Sequence, residues 1–113
     1  GRKAHRVETA IGPLYTIPVE GVFNVHPQVF RTALVGLGES GEQKPVLCVE
    51  LEPEVKKVDE SVLVGELKGL GNAYPHTENI QDFLIHPGFP VDIRHNAKIN
   101  REGLRLWAAQ KVS

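Results

Sequence analysis

Lys98 has the setting in this sequence that most invites chemistry. It follows Asn96-Ala97, stands between Arg94 and Arg101, and has Asp92 nearby to balance part of the positive cluster. Placed by a short loop just before a helix, its ammonium is a compact point charge on a flexible four-carbon stem. Such a group can reach an anionic carboxylate or phosphate without the fixed geometry of a guanidinium. Where negative charge develops during a reaction, a positioned cation of this kind stabilises the transition state. The ordinary alternative is a solvated surface lysine, the commonest fate of this residue type.

The other candidates carry weaker signals. Five histidines, His5, His26, His76, His86 and His95, are scattered through the chain. None forms a His-x-x-x-His or Cys/His pair at ligand spacing, so no metal site is expected. His26 falls on the apolar face of a helix in this reading. Cys48 is the single cysteine, lies in Val46-Leu47-Cys48-Val49 and cannot form an internal disulfide. That setting favours a small buried hydrophobe, because nothing in it lowers the thiol pKa as a nucleophile requires. Gly36-Leu37-Gly38-Glu39-Ser40-Gly41 matches G-x-G-x-x-G. A dinucleotide loop must run into a helix N-terminus, whereas Glu42-Gln43-Lys44-Pro45 leads into a strand, so a hairpin turn is expected.

These residues need elements to hold them. Arg6 to Thr9 and Leu14 to Ile17 flank Ala10-Ile11-Gly12-Pro13, a Gly-Pro turn signal, and predict an N-terminal β-hairpin. Pro18 suits a helix start and Glu20 its positive end, with Val19, Val22, Phe23 and His26 on one face. Phe30–Val35 and Pro45–Glu52 read as strands, the second with alternating faces of unequal character. Asp59 caps a helix over 59–70 that carries Leu63, Leu67 and Leu70 and stops at Gly71-Asn72. Asn79–His86 reads as a third main strand. Asn100 caps a last helix with Leu104, Trp107, Ala108 and Lys111 on one side. Phe23 and Trp107 are expected in the core. Two strands follow one another without an intervening helix, so the fold class is α+β: a small antiparallel or mixed sheet covered by helices.

Composition bounds the function without naming it. The 113 residues fit one domain, and 41% hydrophobic with 24% charged residues is ordinary globular usage. A formal net charge of −1 provides no general field for nucleic acid or anionic lipid. No apolar run reaches the roughly 18–20 residues of a membrane span, and the polar start is no signal peptide, which reads as cytoplasmic. The start on Gly1-Arg2 without Met is read as a piece of a longer chain.

The motifs, taken in order, resemble the mobile C-terminal domain of the adenylate-forming enzymes: acyl-CoA synthetases, nonribosomal-peptide adenylation domains and luciferases. Gly1-Arg2 resembles the family's linker, Gly12 its glycine turn, and Pro18-Val19-Glu20 its Pro-x-Glu helix start. His26-Pro27-Gln28-Val29 is similar to its His-Pro-x-Val, and Leu34-Val35-Gly36 to its Val-Val-Gly. Pro90…Ala97-Lys98-Ile99-Asn100-Arg101 resembles its terminal Pro…Gly-Lys-Ile/Val-x-Arg loop. The resemblance runs nearly end to end. Two positions depart from the pattern: Ala4 stands where the hinge is usually Asp or Lys, and Ala97 replaces the glycine before the lysine. The Pro90-to-Lys98 interval is also longer than the commoner one. With Glu8-Thr9-Ala10 and the run from Arg94 to Ile99, these departures look most like the fatty-acyl ligase branch of long-chain olefin biosynthesis.

The resemblance implies that residues 1–113 form a lid domain whose partner is the N-terminal adenylation domain of the same chain. It implies that Lys98 is the adenylation lysine, Arg2 contacts the nucleotide ribose, Ala4 sits at the hinge, and Gly12 lies beside the pantetheine path. The implied substrates are Mg-bound ATP and a long-chain acyl or β-hydroxyacyl acid, with coenzyme A a further candidate. The product in the olefin branch is a β-lactone, with AMP and pyrophosphate released, and the isolated domain is expected to be inactive. The competing expectation is a stand-alone protein-interaction module without catalysis.

Overall fold

Alternation along a strand sends successive side chains to opposite faces, so a strand apolar at every position must be covered on both sides. The runs Ala33-Leu34-Val35 and Val46-Leu47-Cys48-Val49 have that character, and the strands that carry them form the centre of the molecule. The computed structural model describes residues 6–10, 12–39, 41–55, 57–86, 88–89, 91–92, 98–99 and 101–112. Strand β3 (Val29–Leu37) pairs antiparallel with β4 (Lys44–Leu51), Leu34 opposite Leu47, with a bulge between Val29 and Arg31. Helix α2 (Glu60–Asn72) then crosses over to β5 (Asp82–His86), which lies parallel to β4 with Cys48 opposite Leu84. The sheet order is β3-β4-β5, a mixed sheet within an α+β fold.

Both faces of this sheet are packed. On one, Leu34, Leu47 and Val49 meet Val19 and Phe23 of helix α1 (Thr16–Phe23), Leu63 and Leu67 of α2, and Val7. On the other, Ala33, Val35, Val46 and Cys48 meet Phe89 and the Leu104 and Ala108 side chains of helix α3 (Arg101–Val112). Cys48 is thus a core filler. Burial, reinforced by the Glu20 carboxylate, pushes its thiol pKa up to about 12. Phe23 is fully buried, whereas Trp107 is only partly buried against the second core.

The N-terminal hairpin is β1 (Arg6–Thr9) against β2 (Gly12–Tyr15), with Thr9 opposite Gly12. Its second strand does not run on to Ile17, because α1 begins at Thr16. Pro18 is therefore the third helical residue, where its missing N–H would have no intrahelical partner anyway. The same shift takes Glu20 out of the first turn, so it does not serve the helix dipole. The hairpin is tied down by the Glu8 carbonyl, which accepts from Gly41 N at 3.1 Å and Gln43 N at 2.8 Å. The Glu8 N–H in turn donates to Gln43 Oε1 at 2.8 Å.

Two helix ends differ from expectation for packing reasons. The α1 helix ends at Phe23, so His26 lies in the following turn and not on a helix face. Asp59 caps α2 as expected, its Oδ1 accepting from Ser61 N and Val62 N at 3.0 and 3.4 Å. The helix continues through Gly71 to Asn72, since a Cβ at Gly71 would stand 3.0 Å from Phe23 Cζ. Gly71 there permits close packing and does not stop the helix. Gly36 to Gly41 ends β3 and returns the chain to antiparallel β4, a setting with no helix N-terminus for a phosphate.

Lys98 lies on a strand, not a loop. Val91–Asp92 (β6) and Lys98–Ile99 (β7) form a two-stranded antiparallel ribbon, Asp92 opposite Lys98. The Asn96-Ala97 tip, Pro90, Arg94, His95 and the Asn100 cap lie outside the described residues, as do Arg2, Ala4 and His5.

Candidate functional site

The site is built around the two ends of the β6–β7 ribbon. Its exit leads into Arg101, the first residue of α3. The Arg101 guanidinium donates to both carboxylate oxygens of Glu20, Nη1 to Oε2 at 2.7 Å and Nη2 to Oε1 at 3.1 Å. Glu20 is only 8% exposed, and its Oε2 also accepts from Leu34 N at 2.8 Å. Arg101 Nη1 lies 3.4 Å from the Leu34 carbonyl as well. Two parallel charge-assisted bonds fix direction as well as distance. The sequence places Arg101 in a cationic cluster beside Lys98; in the structure its charge is neutralised by Glu20.

The ribbon's entrance is held by an aromatic group. Phe89, which precedes β6, is buried. The His86 ring meets Phe89 edge-on at 5.7 Å and Trp107 at 4.5 Å between centroids. The Arg31 guanidinium sits 5.4 Å from the Phe89 ring centre and donates to Glu50 Oε1 at 2.5 Å. His86 Nδ1 accepts from Gly88 N at 2.9 Å. Burial pulls the His86 pKa below its ordinary value, and the nearby Glu50 carboxylate opposes that shift in part. Sequence patterning assigns His86 only to a strand end, and no spacing rule joins it to Trp107 or Arg31.

Gly12 lies in a different place. It lines a cleft of about 280 Å³ with Thr9, Pro13, Leu14, Pro45 and His76. Its φ is +127°, its carbonyl accepts from Thr9 Oγ1 at 2.5 Å, and no atom lies within 4 Å of where a Cβ would stand. A second groove of about 300 Å³ beside Arg101 is lined by Arg6, Leu34, Gly36, Gln43 and Arg105. Among the described residues none lines both clefts. The arginines of the second are paired, Arg6 with Glu8 and Arg105 with Glu102.

His26 is a structural histidine. Its Nδ1 accepts from Gln28 N at 3.1 Å, which leaves the proton on Nε2 to bond Glu66 Oε1 at 2.9 Å. Among the described residues no three His, Cys, Asp or Glu side chains converge as metal ligands. Among them, too, no helix is long and apolar enough to cross a membrane.

No family model matches the chain. Comparison with curated proteins finds the chain 63% identical over 111 residues to an olefin beta-lactone synthetase of Xanthomonas campestris pv. campestris. That match covers 98% of this chain and 20% of the relative. An olefin beta-lactone synthetase of Stenotrophomonas maltophilia is 54% identical over 112 residues, 99% of this chain and 20% of its own length. The chain thus spans about one fifth of the length of these relatives. Among solved structures, an anthranilate CoA ligase in complex with anthranoyl-AMP superposes with a TM-score of 0.77 at 21% identity. The superposition covers 96% of this chain and 22% of the ligase, and it shows a shared fold. The chain resembles part of the adenylate-forming enzymes, and along nearly all its length the olefin β-lactone synthetases.

Proposed function

We propose that this chain is the mobile C-terminal domain of an ATP-dependent, AMP-forming fatty acyl ligase, and that Lys98 is its adenylation lysine. The observation that carries the reading is similarity over 98% of the chain to a β-lactone synthetase that the chain spans by one fifth. The backbone supports it: β7 carries Lys98 and leads into Arg101, whose guanidinium is held by Glu20. The surface that Lys98 meets, in this reading, belongs to an N-terminal adenylation domain of the same chain.

The Lys98 ammonium would hold the substrate carboxylate and the nucleotide together as a carboxylate oxygen attacks the α-phosphorus and pyrophosphate leaves. Its contribution is positioning plus stabilisation of negative charge in the transition state. Magnesium enters with the nucleotide. Arg2 would contact the ribose, and Ala4 would mark the hinge without the usual polar side chain. For a β-hydroxy fatty acid, the hydroxyl oxygen then bonds to the acyl carbon, the bond from that carbon to the phosphate oxygen breaks, AMP leaves and the hydroxyl proton is lost. The result is a β-lactone. If coenzyme A were the acceptor instead, Gly12 would lie beside the pantetheine. The cytoplasm is the proposed compartment.

The test is product mass analysis of the full-length protein with ATP and a long-chain 3-hydroxy acid, with and without coenzyme A. A coenzyme-independent product lighter than the acid by one water supports the lactone. A thioester formed only with the thiol places the protein among acyl-CoA ligases, and no AMP in either case rejects the adenylating role.

A further inference from the structure

We infer that Glu20 is a positioning residue for Lys98, acting through Arg101. The inference rests on the adenylation reading of Lys98 given above. A carboxylate removed from water is unfavourable unless paired and hydrogen-bonded, and a hydrophobic residue of similar size often serves stability as well or better. Glu20 stands in the core-facing row of α1 beside Val19 and Phe23, where an apolar side chain would fill the space but leave Leu34 N without the acceptor that a neutral amide could also supply. Its charge therefore calls for a purpose that packing does not supply.

The geometry provides one. Glu20 Oε2 is fixed to the central sheet by Leu34 N, and both its oxygens then fix the Arg101 guanidinium. Helix α3 is already docked through Leu104 and Ala108, each fully buried in the second core. What the ion pair adds is control of the helix's first residue, three positions from Lys98. Three residues of chain span at most about 10 Å, so a displaced Arg101 displaces the end of β7. Hydrogen bonds join the sheet to Glu20 and Glu20 to Arg101, and the chain itself joins Arg101 to the ribbon. At the far end of this series lies a residue whose misplacement by about 1 Å can cost on the order of 100-fold in rate.

The experiment uses the full-length protein and measures two half-reactions: adenylate formation from ATP and a 3-hydroxy acid, and conversion of a supplied acyl-adenylate. Glu20→Gln keeps an acceptor for Leu34 N but loses the charge that orients the guanidinium. It is expected to lower kcat for adenylate formation roughly 10- to 100-fold, with KM for ATP and conversion of supplied adenylate little changed. A purely structural role would lower both half-reactions together, and that result, or an unaffected adenylation rate, overturns the inference. Lys98→Ala separates the two claims. Loss of adenylation in Lys98→Ala with full activity in Glu20→Gln removes only the positioning role; full activity in Lys98→Ala removes the lysine reading and this inference with it. If Glu20→Gln does not fold, Arg101→Lys, which keeps the charge but not the fork, must show the same selective loss, and a full rate there overturns the inference.

Discussion

Gly36 of β3 lies directly beneath Val7 of β1: a Cβ at Gly36 would stand 2.7 Å from Val7 Cγ1 and 2.9 Å from Gln43 Cδ. Those two side chains hold the hairpin against the sheet, Val7 by burial and Gln43 by its bond to Glu8 N. Gly36→Ala should therefore lift the hairpin and destabilise the domain by about 1–3 kcal/mol, the usual cost of overpacking. Chemical denaturation reads this directly. Val7→Ala in the same background should recover part of the loss, because it removes the nearer of the two obstacles. An unshifted midpoint for Gly36→Ala would contradict the packing account of this glycine.

His86 gives the domain a pH dependence whose sign follows from its surroundings. Burial among Phe89 and Trp107 lowers its pKa in the folded state below the ordinary 6.5. The unfolded chain therefore binds a proton more readily than the folded one. The stability contributed by neutral His86 is present above pH 6.5 and is lost as the pH falls through the lower folded value. His86→Gln should flatten this part of the stability profile relative to the unsubstituted protein. Unfolding curves at a series of mildly acidic pH values make the comparison, and parallel profiles for the two proteins would refute it.

Much of the scaffold is legible in the sequence because local chemistry and tertiary packing agree there. Asp59 caps α2 as its side chain predicts, Leu63 and Leu67 are buried, and the alternation of β4 sends Leu47 and Val49 one way and Val46 and Cys48 the other. The departures occur where a partner distant in sequence decides. Gly71 continues its helix because Phe23 packs on it, and Glu20 turns inward because Arg101, 81 residues away, meets it. His26 leaves the helix face for Glu66, 40 residues on. The β6–β7 ribbon has two residues per strand, too few for a periodicity to show. Motif resemblance alone singles out Lys98, whereas the pairing of Arg101 with Glu20 and of His86 with Trp107 is visible only in three dimensions.

Cys48 should be inert toward thiol reagents while the domain is folded. Its side chain is fully buried and its pKa is raised to about 12, so the thiolate needed for attack is scarce and inaccessible. Reaction with an aromatic disulfide at neutral pH should proceed only through opened molecules, so its rate should rise with denaturant in step with local or global unfolding. Prompt stoichiometric labelling in native buffer would show that the second core opens more readily than the full burial of Cys48 implies.

Glycine replacements at two exposed-space positions should shift stability in opposite directions. At both Gly12 and Gly65 a Cβ would meet nothing within 4 Å, so sterics with neighbours do not distinguish them. Backbone conformation does. Gly12 holds φ at +127°, a value L residues rarely adopt, and its replacement by Ala should cost about 1–3 kcal/mol in local strain. Gly65 is an exposed position inside α2, where Ala loses less conformational entropy than Gly, so Gly65→Ala should add about 0.5–1 kcal/mol. For a domain of this size each kcal/mol corresponds to roughly 4–8 °C in Tm, well within the reach of a thermal melt. Because the Gly12 cleft is open, Gly12→Ala should leave the rest of the fold in place, and a gain in Tm there would show that the strained turn is absent in solution.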